Sequence, residues 1–374
     1  KMDSVQQRRP NVVLIMMESM SSKFMKHFGQ SETLTPFLDS LYTRSISFRN
    51  FYSAGIHTNH GLYATLYSFP AMMKRNLMKG SVIPRYSGLP TVLKENGYYN
   101  LFFMTHEGQY DNMNAFFRTN GYDEVFSQED YPADKVVNSF GVQDDFLYDY
   151  AIPVLNQRAA TGQPFFATLL SISNHPPYVI PPFFHPKTSE PETQIVEYAD
   201  WALRQFFEEA RKQPWFDNTI FVLEGDHGKL VGDAECELPE SYNHIPLMIY
   251  SSRIQPEEKT AFGGQVDIQP TILGLLNIDY LQNNFGVDLL KEERPCMFYT
   301  ADNMVVGRND TLLYLYNYET QQELTYDIGN GKLNAVPMDD SFLPLKEYSF
   351  SMLQSAEFLV KHGKTLNSIP FTQQ

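Results

Sequence analysis

Cysteine is nearly missing from this chain of 374 residues: Cys236 and Cys296 are the two it has. Two thiols cannot build a disulfide framework or a thiolate zinc site; they allow one bridge or two free thiols. No apolar run reaches the ~18 residues that a membrane-crossing helix needs. Positive charge is also scarce, with 29 Lys and Arg against 44 Asp and Glu and a formal net charge of −15. Nucleic acid is therefore excluded as a main partner, because neutralising phosphates takes a basic surface. An anionic group can be held in such a chain only by a bound cation or by a local device such as a helix N-terminus.

What is present is apolar and patterned. Hydrophobic residues make up 43% and aromatics 14%, which excludes a disordered or low-complexity chain. Asn11–Met17 is a continuous apolar run, as expected of a strand buried on both faces of a parallel sheet. Thr35-Pro36 opens a helix, a strand follows over Ile46–Tyr52, and a second helix starts near Thr58. The alternation continues with a helix over Leu89–Asn96, a strand over Tyr99–Met104, a short helix over Met113–Thr119 and a strand over Phe165–Ile172. It ends with an amphipathic helix over Tyr198–Arg211, a strand over Thr219–Glu224, a further strand over Pro246–Tyr250 and a helix over Val266–Leu276. Alternating βα units imply a mostly parallel sheet with helices on both faces. Beyond about Phe285 the runs Met297–Val306, Leu312–Asn317 and Glu323–Ile328 are short and polar-flanked, which predicts an antiparallel meander. A helix near Lys346–His362 closes the chain.

Ligands of open parallel sheets sit at the carboxyl ends of the strands. Polar residues that end apolar runs are therefore candidates: Glu18, His106, Asn174-His175 and Asp226-His227. A strand-end carboxylate such as Glu18 can also be only a cap or a solvated loop residue. Asp226-His227 inside Gly-Asp-His-Gly is more specific, since carboxylate and imidazole suit a divalent metal and the glycines permit close approach. Thr58 stands between a strand and a helix N-terminus, with His57, Asn59 and His60 around it. It can be a simple cap, or a hydroxyl placed where free N–H groups and the helix dipole attract a phosphoryl or sulfuryl group.

Three further segments complete a pattern: Pro10–Ser19, Ser173-Asn174-His175-Pro176-Pro177-Tyr178 and Gly264–Leu273. With Thr35-Pro36-Phe37-Leu38 and Leu223–Gly228, they resemble, in family order over about residues 10–285, the sulfatase branch of the alkaline phosphatase superfamily. Within that branch the chain is similar to the lipoteichoic acid synthase-like phosphoglycerol transferases. The resemblance implies a sulfatase-type α/β catalytic domain over residues 10–285 and a small α+β subdomain, an antiparallel sheet plus a helix, over 286–374. Residues 1–9 would be a juxtamembrane linker. It also implies one metal held by Glu18, Thr58, Asp226 and His227, with Thr58 as nucleophile and His175 and His106 in the substrate pocket. Manganese is the first expectation, magnesium and zinc the alternatives, and a second metal is left open. The expected substrate is an anionic lipid or glycan phosphoester, or a sulfate ester. The expected location is extracytoplasmic, in a soluble domain joined to the membrane by a segment outside this chain.

The chain also departs from that pattern. Where the synthases carry a Trp and an Arg after the pocket histidine, this sequence has Asp111-Asn112-Met113-Asn114 and no Arg before Arg118. A bidentate phosphate contact is lost with that guanidinium. His57, His60, Asn114 and His244 are the candidates to contact substrate instead; His244 could equally be a second-metal ligand or a loop residue. A formylglycine sulfatase would need Cys or Ser at the nucleophile, with Pro and Arg downstream, whereas Thr58 is followed by Asn59-His60-Gly61-Leu62. The rival readings are a sulfatase or phosphatase acting on a soluble ester, and a catalytically silent binding domain.

Overall fold

The structure is a computed structural model that describes residues 9–367. The linker expected over residues 1–9 thus lies almost wholly outside the described residues. In chain order the elements are β1 (Asn11–Met17), α1 (Pro36–Tyr42), β2 (Ile46–Tyr52), α2 (Thr58–Tyr67), α3 (Leu89–Glu95), β3 (Tyr99–Phe103), α4 (Met113–Thr119) and β4 (Glu124–Phe126). The ribbon β5 (Val136–Asn138) and β6 (Gly141–Val142) leads into α5 (Asp144–Ala160), β7 (Phe165–Leu170), α6 (Pro191–Ala210), β8 (Thr219–Gly225), β9 (Leu247–Tyr250), β10 (Glu257–Gly264) and α7 (Ile268–Leu275). The chain closes with β11 (Met297–Thr300), β12 (Met304–Arg308), β13 (Leu312–Asn317), β14 (Gln322–Gly329), β15 (Lys332–Ala335) and α8 (Leu343–Lys361).

Eight strands form one sheet in the order β10-β2-β9-β8-β1-β7-β3-β4. Its centre is β1, buried at every residue because both faces are covered. Val12, Leu14 and Met16 enter one core, while Val13, Ile15 and Met17 enter the other, following the two-residue period of a strand. In the parallel register Met17 lies opposite Gly225 of β8, and Met16 opposite Leu170 of β7. The residues that follow these strand ends are thereby delivered side by side.

The sheet is mostly parallel, as expected, with one inversion. β9 runs antiparallel to both β2 and β8, because the chain between β8 and β9 returns without a crossover helix. Three elements escape the periodicity. α5 has a mixed surface and a proline, Pro153, in its interior, and both features argue locally against a helix. α6 begins at Pro191, seven residues before its amphipathic pattern becomes clear. β10 carries a polar first half on an exposed edge.

The remaining five strands form the antiparallel meander β11-β12-β13-β14-β15, with α8 packed on β11 and β12. The expected single run over Met297–Val306 is broken by the turn between β11 and β12. Cys236 and Cys296 are free thiols. No helix of the described residues is long and apolar enough to cross a membrane.

Candidate active site

The chain leaves β1 through Glu18, which is buried, and turns sharply at Ser19, whose φ of 52° lies in the left-handed region. A non-glycine residue there is strained, and the strain is held by local hydrogen bonds. The Ser19 amide donates to Asp226 Oδ1 at 2.8 Å and its hydroxyl to Glu18 Oε1 at 2.7 Å. The Glu18 amide donates to Ser171 Oγ at 3.0 Å, tying the exit of β1 to that of β7. Asp226 follows β8, and its amide donates to Met17 O at 3.0 Å.

Thr58 is the first residue of α2. Its hydroxyl lies 2.8 Å from Asp226 Oδ2 and 3.2 Å from Glu18 Oε2. The first turn of α2 comes this close because Gly61 has no side chain: a Cβ there would lie 2.2 Å from Asp226 O. Gln265 fixes the approach. Its Oε1 accepts from Ala54 N at 2.9 Å, and its Nε2 donates to Asp226 O at 2.8 Å and Gly225 O at 3.1 Å. One amide side chain thus joins the loop before α2 to the loop after β8.

Glu18, Asp226 and His227 bring ligand atoms within 4.8 Å of one another. His227 Nε2 is 3.6 Å from Glu18 Oε1 and 3.5 Å from Asp226 Oδ2. Burial, then the neighbouring Glu18, drives the Asp226 carboxyl well above its ordinary range. Burial also disfavours the His227 imidazolium, but the two carboxylates outweigh it and raise its pKa. Two buried carboxylates beside each other are a costly arrangement that a dication would relieve. Carboxylate oxygens, a hydroxyl and an imidazole are a donor set that fits manganese, magnesium or zinc.

Three histidines share one device. His227 Nδ1 faces Gly228 O at 2.6 Å, His106 Nδ1 faces Glu107 O at 3.1 Å, and His175 Nδ1 faces Pro176 O at 2.7 Å. A carbonyl can only accept, so each Nδ1 carries the proton and each neutral ring presents a lone pair at Nε2. His106 is buried, and burial lowers its pKa. His175 belongs to a loop pinned by Asp144, whose Oδ1 accepts from Ile172 N and Ser173 N, both at 2.9 Å. The two pocket histidines end one aromatic row. His106 lies 4.6 Å from Tyr110, Tyr110 6.3 Å from Phe140, and Phe140 4.0 Å from His175, centroid to centroid.

The other candidate contacts have neighbours of their own. His57 pairs with Asp302 at 2.7 Å. His60 is buried against Gly55, and burial, reinforced by His57, lowers its pKa to about 4. His244 is turned away from the cluster, with Nε2 on Arg49 O at 2.7 Å and its ring stacked on Tyr52. Asn114 accepts from Arg118 Nε at 2.7 Å, which also occupies that guanidinium. None of the three histidines joins Glu18, Asp226 and His227 in a ligand group among the described residues.

Sequence reasoning passed over Lys229, Asp144, Gln265 and Gly61. Gln265 stands inside a quoted motif and Lys229 directly follows one, and their signal was only that proximity. Lys229 Nζ donates to Asn174 Oδ1 at 2.6 Å and Tyr178 OH at 2.9 Å, and burial lowers its pKa to about 8.

The sulfatase family model matches residues 10–278. Lipoteichoic acid synthase 2 of Bacillus subtilis is 25% identical over 315 residues, covering 76% of this chain and 47% of that protein. The chain therefore spans about half the length of this relative. A crystal structure of a protein in the alkaline phosphatase superfamily from Vibrio parahaemolyticus superposes with a TM-score of 0.86 at 27% identity, covering 97% of this chain and 90% of the other. The lipoteichoic acid synthase LtaP from Listeria monocytogenes superposes with a TM-score of 0.81 at 21% identity, covering 95% and 93%.

Proposed function

The chain belongs to the sulfatase family, and from that premise we propose that it transfers a phosphoryl-type group through Thr58, in the manner of a phosphoglycerol transferase acting on a lipid or glycan phosphodiester. The observation that carries this reading is the Thr58 hydroxyl, at a helix N-terminus and within reach of two buried carboxylates beside His227 Nε2. Similarity to lipoteichoic acid synthases supports the phosphodiester and an extracytoplasmic setting at a membrane. Glu18, Asp226, His227 and Thr58 Oγ1 are the groups that would hold a divalent metal, manganese in the first instance. When bound, such a metal supplies positive charge that acidifies the hydroxyl and balances the transferring group.

The remaining chemistry belongs to the chain. The Thr58 Oγ1 proton passes to Asp226 Oδ2, its acceptor at 2.8 Å. Oγ1 bonds to phosphorus while the bond from phosphorus to the departing oxygen breaks. His175, partly exposed, donates a proton to that oxygen. In the second half, His106 Nε2, on a ring whose pKa burial lowers, takes the proton of the acceptor alcohol. The acceptor oxygen bonds to phosphorus, and Thr58 leaves with its proton restored. With water as acceptor, the same steps describe a hydrolase.

The test is intact-mass analysis after incubation with manganese and vesicles of an anionic glycerophospholipid. An adduct mapping to Thr58 is expected, and none on Thr58→Ala. Full turnover of bis(4-nitrophenyl) phosphate by Thr58→Ala would refute the covalent route.

A further inference from the structure

Lys229 has no role in the chemistry above, and its surroundings are unusual. It follows His227 by two residues and is mostly withdrawn from solvent, between the rings of Tyr178 and Phe24 at 4.8 and 5.5 Å. No carboxylate lies within ion-pair distance of Nζ among the described residues, although the acidic groups acting on its charge include Glu18. Its two hydrogen-bond partners, Asn174 Oδ1 and Tyr178 OH, are neutral. An ammonium has three donors, so one is left for a ligand. Asn174 also fixes its position relative to the cluster: Asn174 Nδ2 donates to Ser19 O at 3.2 Å, and Ser19 Oγ holds Glu18. The guanidinium that could have served an anion from the other side, Arg118, is spent on Asn114 Oδ1 and Val125 O.

Resting on the Thr58 reading, we propose that Lys229 grips a non-bridging oxygen of the substrate and sets the site for a monoanionic phosphodiester over a dianionic monoester. Glu18 and Asp226 together match the charge of one dication, Glu192 acts on Lys229 only from beyond ion-pair distance, and the one positive charge that Lys229 brings is balanced by a single negative charge. A sulfate monoester carries the same charge and is the competing source of that chemistry.

The experiment compares metal-saturated wild type, Lys229→Met and Lys229→Arg on bis(4-nitrophenyl) phosphate, 4-nitrophenyl phosphate and 4-nitrophenyl sulfate. Metal content, thermal midpoint and a calorimetric titration with dimethyl phosphate are measured alongside. Lys229→Met is expected to raise KM for the diester and Kd for dimethyl phosphate about 10- to 100-fold, the range for losing a hydrogen bond to a charged group. Metal content stays at the wild-type value, Lys229→Arg recovers most of the loss, and the preference for diester over monoester narrows in Lys229→Met. Unchanged KM and Kd in Lys229→Met would overturn the proposal. So would a loss that arginine leaves unrepaired while the thermal midpoint falls, which makes Lys229 structural. Faster turnover of the sulfate than of the diester would overturn the phosphodiester assignment. If no ester turns over, the Thr58 reading fails, and the dimethyl phosphate titration still decides for or against Lys229.

Discussion

Gly61→Ala is a one-methyl perturbation aimed at the spacing between Thr58, the proposed nucleophile, and the cluster. In an ordinary helix this exchange stabilises by roughly 0.5–1 kcal/mol, because alanine loses less entropy on folding. Here the added Cβ would stand 2.2 Å from Asp226 O and 3.0 Å from Gln265 Nε2. Ordinary contact begins at 3.4 Å, so α2 and the loop after β8 must part by about 1.2 Å. The obstacle is backbone, and no flexible side chain can swing aside. Overpacking of this kind costs about 1–3 kcal/mol, partly offset by the helix gain, which leaves roughly 0–2 kcal/mol of net destabilisation. The chemistry is less forgiving, since a misplacement of about 1 Å costs on the order of 10²-fold in rate. Turnover of bis(4-nitrophenyl) phosphate, metal affinity and the thermal midpoint should be measured together. A fall of about 100-fold in turnover, with the protein folded, is expected. Wild-type turnover and metal affinity in Gly61→Ala would refute the idea that this close approach sets the geometry of Thr58.

Asp226→Asn removes a charge from the ligand group, so elemental analysis should find most of the metal lost after purification in manganese. His175→Ala and His106→Ala should each lower turnover by about 10²–10³-fold if they act on the transition state, with metal content unchanged; wild-type rates would place both at the rim. Asp200 offers a pH test away from the metal site. Its carboxyl accepts from Phe37 N and Leu38 N, both at 2.9 Å, at the start of α1, and burial pushes its pKa up to about 7. The folded protein thus holds this proton more tightly than the unfolded chain, so stability falls as pH rises from about 4 to 7. Asp200→Asn should flatten that stretch of a plot of thermal midpoint against pH, and an unchanged slope would count against it.

The strands that carry the site were legible because each is a dense apolar run cut off by a polar residue. Met17-Glu18 and Gly225-Asp226 announce their own ends, and the strand register then aligns them. Thr58 stands at the N-terminus of α2, where turn chemistry pointed. What could not be read depends on contacts distant in sequence. Lys229 is informative only once Tyr178 and Asn174 lie beside it, and Gln265 only once Ala54 and Asp226 face each other across it. Asp144 sits at the head of α5, a helix with an interior proline and no clean apolar stripe, so neither element nor residue was visible. His244 looked available because sequence cannot show that Arg49 O and the Tyr52 ring already occupy it.

The C-terminal segment reaches the loop before α2 through two seams. Thr300 N donates to Ala54 O at 2.9 Å. Arg294, buried, forks onto Asp267, whose carboxylate also accepts from Gly264 N just before Gln265, and its third nitrogen reaches Tyr348 of α8 at 2.7 Å. Hydrogen bonds therefore join the segments on the two sides of the texture change near Phe285. The eight-stranded sheet and the C-terminal meander are tied to each other at these two seams. If the chain transfers a group through Thr58 as proposed, a substitution in α8 or β11 is expected to lower turnover without touching the substrate.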